Sequence, residues 1–251
     1  MKPETERRET ERYETERRET EMKIKEIGHI QTDFPEKFGV PRQSGLVEGL
    51  VGRIVFQPEY RMKEAFRGLE GFSHIWIIWE FSEVEEGSSW HPTVRPPVLG
   101  GNKRMGVFAT RSPFRPNRIG LSSVKLERVD YDAEDGPVLY VSGIDMVDGT
   151  PVLDIKPYIA YADSHPDAED GFLGQASRKK LKVIFPEETD NKKLQVLKEV
   201  LEQGPLPAYA NDPERIYGMS FAGMDVKFSV DGDVLTVRTI TDQEPECDTS
   251  S

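Results

Sequence analysis

The chain has 251 residues, of which 36% are hydrophobic and 31% charged, a size that fits one main domain with a smaller appendage. No apolar run approaches the roughly 20 residues that cross a bilayer, and the first 21 residues hold no hydrophobic stretch of the kind found in secretory signals. The single cysteine, Cys247, excludes intrachain disulfides and iron–sulfur chemistry, and four histidines without H-x-x-x-H spacing give little support to a zinc site. We therefore expect a cytoplasmic protein whose chemistry uses no metal.

The formal net charge of −12 is unevenly distributed. Residues 91–128 contain eight lysines and arginines and one acid, a net +7, which leaves −19 for the remainder. The basic residues are Arg95, Lys103, Arg104, Arg111, Arg115, Arg118, Lys125 and Arg128. A basic segment in an acidic protein predicts that a polyanion or an anionic cofactor binds at one place. The alternative is that these charges are spread over a solvated surface.

Residues 1–21 are a pentapeptide repeat, T-E-R-R-E or T-E-R-Y-E, which starts at Thr5, Thr10 and Thr15. A period of five matches neither a helix nor a strand, and the repeat offers almost no apolar side chains for a core. We expect residues 1–21 to be disordered or to form an isolated helix. Met22, where the pattern changes, is a candidate start of translation.

The pattern after Met22 consists of short apolar runs separated by glycine and proline. Strands are predicted for 22–31 and 45–56, a helix for 58–69, and a buried strand for the apolar run "HIWIIWEF" at 74–81. Further strands are predicted at 105–110, 121–130, 138–144 and 152–155. Many short strands with one helix among them indicate a β-barrel or a sandwich. Gly45, Gly49 and Gly52 do not have the G-x-G-x-x-G spacing of a Rossmann site.

The C-terminal part has a different composition. A helix is predicted at 191–203, ended by Gly204, and strands 226–230 and 234–240 form a predicted hairpin turned at "DGD". The predicted organisation is a mainly β chain: a β-barrel domain at 22–163, a connecting segment at 164–186, a small α+β domain at 187–241 and an acidic tail at 242–251.

Three stretches are unusual for ordinary structure. In "VPRQSGL", Pro41 fixes the backbone before Arg42, which suits a planar or bidentate anionic partner, and Gln43 offers both a donor and an acceptor to a base edge. An exposed loop without a ligand is the alternative.

In "GNKRMGVFATRSPFRPNRIG", Pro113 and Pro116 prevent a regular helix, so three arginines and Phe114 are held on a loop. Such a loop suits phosphates and a stacked base, or else it forms ion pairs with the acidic remainder.

In "DMVDGTPVLDIKPY", a turn explains Asp148 and Gly149. Asp154 and Lys156, which lie on one strand face, are explained either as a hydrogen-bonding site for a ligand or as an ion pair.

These stretches, in this order and together with "GLEGFSHIWIIWEF" and "GPLPAYANDPERIYGMSF", resemble the TrmO (TsaA-like) family of tRNA adenine methyltransferases. The resemblance covers residues 22–240. It implies a dimeric β-barrel enzyme that uses S-adenosylmethionine to methylate the exocyclic nitrogen of threonylcarbamoyl-adenosine beside the anticodon of a tRNA, with threonine tRNA expected. The family motif reads "DPRPAY", whereas this chain has Leu206 at the arginine position.

The resemblance also implies the site residues. Cofactor contacts are expected at Pro41, Arg42, Gln43, His74, Ile75, Arg111, Leu121, Asp145, Asp148, Gly149, Thr150, Pro151, Asp154, Ile155, Lys156, Pro157 and Tyr158. The basic segment and its proline-containing loop predict contacts with tRNA at Arg95, Lys103, Arg104, Phe114, Arg115 and Arg118, and a further contact is expected at Tyr209.

For the chemistry, Asp148 or Asp154 is expected to accept the proton of the acceptor nitrogen, and Lys156 or Arg111 to stabilise charge on the neighbouring carbonyl oxygen. Direct loss of the proton to water is the alternative. A methyltransferase for another nucleoside or a small molecule, and a non-catalytic cofactor- or RNA-binding module, remain as alternative functions.

Overall fold

The computed structural model describes residues 23–84, 89–101, 103–175, 180–186, 191–206 and 212–243. The predictions for residues 1–21, for Tyr209 and for most of the acidic tail lie outside these residues. The strands are β1 (Gly28–Gln31), β2 (Val51–Phe56), β3 (His74–Glu80), β4 (Thr93–Val94), β5 (Met105–Gly106), β6 (Ile119–Asp130), β7 (Val138–Ser142), β8 (Pro151–Pro157), β9 (Lys182–Ile184), β10 (Tyr217–Phe221), β11 (Met224–Asp231) and β12 (Val234–Asp242). The helices are α1 (Ala160–Asp163) and α2 (Lys192–Glu202).

Six strands close into an antiparallel barrel in the order β1-β2-β7-β6-β3-β8, with β8 pairing back to β1. Alternate side chains of each strand point inward, as the period of two requires. Ile75 and Ile77 of β3 are fully buried inside the barrel, whereas the alternate residues Trp76 and Ile78 face outward and are partly exposed. The prediction of a mainly β fold built around a barrel is confirmed.

The C-terminal part forms a second sheet in the order β10-β11-β12-β9, in which β9 runs parallel to β12. Helix α2 packs with this sheet through Leu197 and Leu201, which are fully buried. The two parts share one continuous apolar core, and the rings of Phe34 and Phe221 meet across it at 5.2 Å. No helix in the described ranges is long and apolar enough to cross a membrane.

The predicted helix at 58–69 is wrong. The chain instead makes three short 3-10 turns, Pro58–Tyr60, Lys63–Phe66 and Leu69–Gly71. Of the predicted apolar face only Phe66 is buried, edge-on against Phe56 at 4.8 Å, and Gly68 adopts a left-handed conformation (φ +89°). Since most helical stability comes from packing of an apolar face, a single anchored side chain does not sustain a regular helix.

Three strand predictions are also corrected. Of the strand predicted at 22–31, only Gly28–Gln31 forms a strand among the described residues. The strand predicted at 45–56 begins only at Val51, because Gly45 adopts a positive φ and its N–H bonds Gly143 outside the ladder. The strand predicted at 105–110 is limited to Met105–Gly106 and continues as a 3-10 turn, Val107–Ala109. Strands β9 and β10 were not predicted, because short strands of three and five residues give too little alternation to detect.

Candidate active site

A cleft of about 540 Å³ opens at the end of the barrel where β3 ends and β6 begins. Its walls come from residues 37–43, from 79–84 at the end of β3, from the loop that enters β6 and from the segment between β7 and β8, with Pro205 added from the C-terminal part. Its volume lies in the range of about 300–1,000 Å³ that is typical of small-molecule sites.

One wall of the cleft is basic. Arg111 Nη1 donates a hydrogen bond to Gln43 Oε1, which joins the first and second predicted stretches across 68 residues. Arg42 Nη2 donates to the backbone carbonyl of Leu206 at 3.2 Å. Pro41 is buried behind these side chains. Both guanidinium groups are exposed to the cleft, so this wall suits a carboxylate or a phosphate.

The cleft also holds a hydrogen-bonded acid. Ser122 Oγ donates to Asp145 Oδ1 at 2.6 Å, and Trp79 Nε1 donates to Ser122 Oγ at 3.0 Å. Burial raises the pKa of Asp145 to about 6, against the opposing effects of the Ser122 hydrogen bond, the Ser44 N–H and the Arg111 charge. The indole of Trp79 packs against Gly120, where a Cβ would overlap the ring.

Two of the predicted tRNA contacts, Arg115 and Arg118, hold the loop backbone. Arg115 Nη1 donates to the carbonyl of Thr110 at 2.7 Å, and Arg118 Nη1 donates to the carbonyl of Val84 at 3.1 Å. These bonds fix the proline-containing loop against the end of β3. Four other predicted contacts are exposed: Arg95, Lys103, Arg104 and Phe114. All six stay predictions as tRNA contacts.

The structure divides the predicted cofactor contacts into three groups. Those that line the cleft are Pro41, Arg42, Gln43, Arg111, Leu121, Asp145 and Thr150. Those in the turn that leads into β8, beside the cleft lining, are Asp148, Gly149 and Pro151. Those along β3 and β8 towards the opposite end of the barrel are His74, Ile75, Asp154, Ile155, Lys156, Pro157 and Tyr158.

The third group extends away from the cleft, from Asp154, which pairs with Ile78 next to the cleft-lining Trp79, to Tyr158 beside His74 at the far end of β3. His74 and Trp79 lie five residues apart on β3, which corresponds to about 17 Å along a strand. At the far end the ring of Tyr158 lies 5.5 Å from that of Trp76, and Trp76 Nε1 donates to Asp163 Oδ2 at 3.0 Å. The two ends of β3 thus carry two distinct clusters within one chain.

The three predicted catalytic side chains do not line the cleft. Asp148 Oδ1 accepts a hydrogen bond from the Thr32 backbone N–H at 2.8 Å, which supports a turn. Asp154 pairs with Lys156 at 2.9 Å on the outside of the barrel. Their roles stay predictions. Among the described residues, no group of three or more His, Cys, Asp or Glu side chains is placed to hold a metal ion.

Sequence reasoning did not identify Ser122 and Trp79 as site residues. One signal was available for the serine: the alternation of 119–124 places Ser122 at an inward position of β6, where a polar side chain is unusual and needs a partner. Nothing local to the sequence indicated that the partner would be Asp145.

The barrel and its cleft define a ligand-binding β-barrel protein without a Rossmann site. Residues 29–164 match the tRNA-methyltransferase O N-terminal domain, and residues 176–243 match the TrmO C-terminal domain. The chain belongs to the tRNA-methyltransferase O family.

The chain is similar to several known proteins, including one whose crystal structure has been solved. The Escherichia coli (strain K12) tRNA (adenine(37)-N6)-methyltransferase is 43% identical over 83% of this chain and 93% of that protein. A Pseudomonas aeruginosa protein with the provisional name S-adenosylmethionine-dependent methyltransferase RcsF is 39% identical over 81% of this chain and 90% of its own length. The crystal structure of TrmO from P. aeruginosa superposes with a TM-score of 0.70 at 32% identity, covering 89% of this chain and 98% of that one.

Proposed function

We propose that this protein transfers a methyl group from S-adenosylmethionine to the exocyclic nitrogen, N6, of adenosine 37 in tRNA, and that the adenosine carries a threonylcarbamoyl group. The observation that carries the proposal is the cleft in which Arg42, Gln43, Arg111 and Asp145 converge within the segment that matches the family's N-terminal domain. The relatives named as tRNA (adenine(37)-N6)-methyltransferases support the choice of substrate.

The side chains of the cleft fit this cofactor. Its α-carboxylate matches the guanidinium groups of Arg42 and Arg111. Trp79 and Phe81, whose rings lie 4.3 Å apart, offer an apolar aromatic surface for a purine. When bound, the cofactor supplies an activated methyl group on a sulfonium. The protein's task is then to align the acceptor nitrogen and to control its proton.

The tRNA approaches, in this proposal, over the basic segment beside the cleft. Arg95, Lys103 and Arg104 are exposed there, and Phe114 is 41% exposed. Cationic side chains neutralise backbone phosphates and an exposed ring stacks on an unpaired base, which is how single-stranded loops are bound. A tRNA substrate also implies that the enzyme works in the cytoplasm, where tRNA is modified, and the resemblance favours threonine tRNA.

A homodimer would bring together the separated clusters of predicted cofactor contacts. The outer face around β3 and β6 is apolar where Trp76, Ile78 and Leu121 emerge, and Leu121 is 51% exposed. We infer that this face of one copy packs at the cleft of the other, so that the cluster of His74 and Tyr158 completes the partner's site. Light scattering measures the oligomeric state. If the site is shared, mixing inactive Arg111→Ala and Tyr158→Ala proteins restores part of the activity; if each chain has a complete site, mixing restores none.

The test of the activity uses labelled S-adenosylmethionine and bulk tRNA from a strain that lacks this methylation. Label in one threonine tRNA, at adenosine 37, supports the proposal. Label in a small molecule or in another nucleoside supports a different methyltransferase, and cofactor binding without transfer supports a non-catalytic module.

A further inference from the structure

We propose that the Asp145 carboxylate accepts the proton that N6 loses during methylation, and that Ser122 and Trp79 hold this carboxylate in position. The inference rests on the proposed function and goes further, because it assigns the proton transfer to a residue other than Asp148 and Asp154.

Position separates Asp145 from the two other acids. Asp145 lines the cleft, whereas the Asp148 carboxylate supports the turn at Thr32 and the Asp154 carboxylate pairs with Lys156 outside the barrel. An ionised carboxylate has about four lone-pair positions. Ser122, the Ser44 N–H and the backbone N–H of Asp145 itself occupy three of them. Acceptor capacity is left for a substrate proton.

The hydrogen-bond chain through Ser122 has a fixed direction. The Nε1–H of tryptophan is only a donor, so the Ser122 oxygen accepts the bond from Trp79. The single hydroxyl hydrogen of Ser122 is then directed at Asp145 Oδ1. A donor aimed at a carboxylate stabilises its ionised form, which is the form that can accept a proton.

The basicity of Asp145 is suited to this role. Burial raises its pKa to about 6, so the carboxylate is almost wholly ionised at pH 7.5 yet a stronger base than an ordinary aspartate. The other charged groups that line the same cleft are Lys37, Arg42, Arg111, Arg115 and Glu83. Their net positive charge keeps the carboxylate ionised, and Arg111 acts on it directly.

The step balances as a simple displacement. A bond forms between N6 and the methyl carbon while the bond between sulfur and that carbon breaks, and the sulfur keeps the electron pair as a neutral thioether. The N6 proton passes to the free side of the Asp145 carboxylate, which becomes a neutral acid. The positive charge of the sulfonium and the negative charge of the carboxylate are both consumed, and the acid then returns its proton to water.

The experiment is a single-turnover measurement of methyl transfer to tRNA across pH 4.5–8.5, with saturating S-adenosylmethionine. For the wild-type protein we expect a plateau above the pKa of Asp145 and a rate about tenfold below the plateau at pH 5. Asp145→Asn lowers the plateau rate by about 10²- to 10⁴-fold while the dissociation constant of the cofactor, measured by calorimetry, changes by less than about threefold. Asp145→Glu keeps a carboxylate and so retains a pH-dependent, slower reaction.

Ser122→Ala tests the positioning residue. Loss of the hydroxyl bond favours the neutral acid, so the midpoint of the pH profile moves to higher pH. The matched control is Ser142→Ala, because the Ser142 hydroxyl donates to Glu127 Oε1 at 2.6 Å while lying outside the cleft lining; its pH midpoint stays at the wild-type value.

Three outcomes overturn the inference. The first is that Asp145→Asn transfers methyl within threefold of the wild-type rate. The second is that this variant loses cofactor affinity but keeps its rate at saturating cofactor. The third is that the pH midpoint of Ser122→Ala coincides with that of wild type. Failure of the proposed function is distinguished in the same experiment, because the wild-type protein itself then transfers no label to tRNA.

Discussion

Replacing Asp145 by asparagine stabilises the folded protein at neutral pH, because it removes a carboxylate that is costly to ionise in the folded state. The amide is nearly isosteric, and its oxygen can accept the hydrogen bond that Ser122 donates to Asp145 Oδ1. The substitution therefore removes the charge with little change in packing.

The magnitude follows from the pKa of Asp145, which burial raises from 3.8 to about 6. Below pH 3.8 the acid is neutral in both the folded and the unfolded chain, and the carboxyl group imposes no cost. As pH rises, the unfolded chain ionises first, so the folded state loses stability until about pH 6 and then stays at a constant deficit. Above about pH 6 the ionised Asp145 lowers the free energy of unfolding by about 3 kcal/mol, and at pH 5 it lowers it by about half as much.

Thermal and urea unfolding of Asp145→Asn and of wild type at pH 5 and pH 8 measure this effect. We expect the variant to be more stable by about 3 kcal/mol at pH 8, or about 6–12 °C in Tm for a chain of this size, with about half the gain at pH 5. The control is Asp132→Asn, an exposed carboxylate that pairs with Lys63 at 2.7 Å and whose pKa is lowered; it shows no gain. An Asp145→Asn gain that is independent of pH, or a loss at both pH values, refutes the reasoning.

Three further substitutions test other parts of the site. Arg111→Ala is expected to lower the rate of methyl transfer at least 100-fold while the Tm stays within about 1 °C of wild type, because the exposed guanidinium contacts ligand and not the core. Unchanged turnover at saturating cofactor would show that Arg111 is not part of the site. Gly120→Ala destabilises the protein by about 1–3 kcal/mol in urea unfolding, because its Cβ overlaps the Trp79 indole, and wild-type stability would show that the ring can move aside. The Arg95→Ala/Arg104→Ala protein lowers the slope of log affinity for tRNA against log salt by about 1–2, and an unchanged slope places the tRNA elsewhere.

The barrel strands that bury only one face could be predicted from the sequence. The alternation along 121–130 and the apolar run at 74–81 reflect inward and outward positions of β6 and β3, and a period of two is a local property of the chain. The helix predicted at 58–69 failed because its apolar spacing was real but only Phe66 found a buried place. Whether a face is covered depends on distant elements, which local spacing does not record.

The parts of the site that lie on single loops could be predicted from the sequence. "VPRQSGL" and the proline-containing basic loop do meet, through Arg111 and Gln43. The acid side of the cleft was less accessible to sequence reasoning, because Ser122 is 43 residues from Trp79 and 23 from Asp145. Barrel closure brings the three together. Asp148 and Asp154 were predicted instead, because they stand in a more unusual local motif.

The C-terminal part contributes to the cleft through its backbone, which limits what the Leu206 departure from the family motif can change. Arg42 binds the carbonyl oxygen of Leu206, and Pro205 lines the cleft. A carbonyl is present whatever the side chain, so an arginine or a leucine at position 206 presents the same acceptor to Arg42. The side chain of Leu206 packs, partly buried, against the shared apolar core. A consequence for substrate choice must therefore come from the Leu206 side chain itself, and the backbone acceptor for Arg42 is unaffected by it.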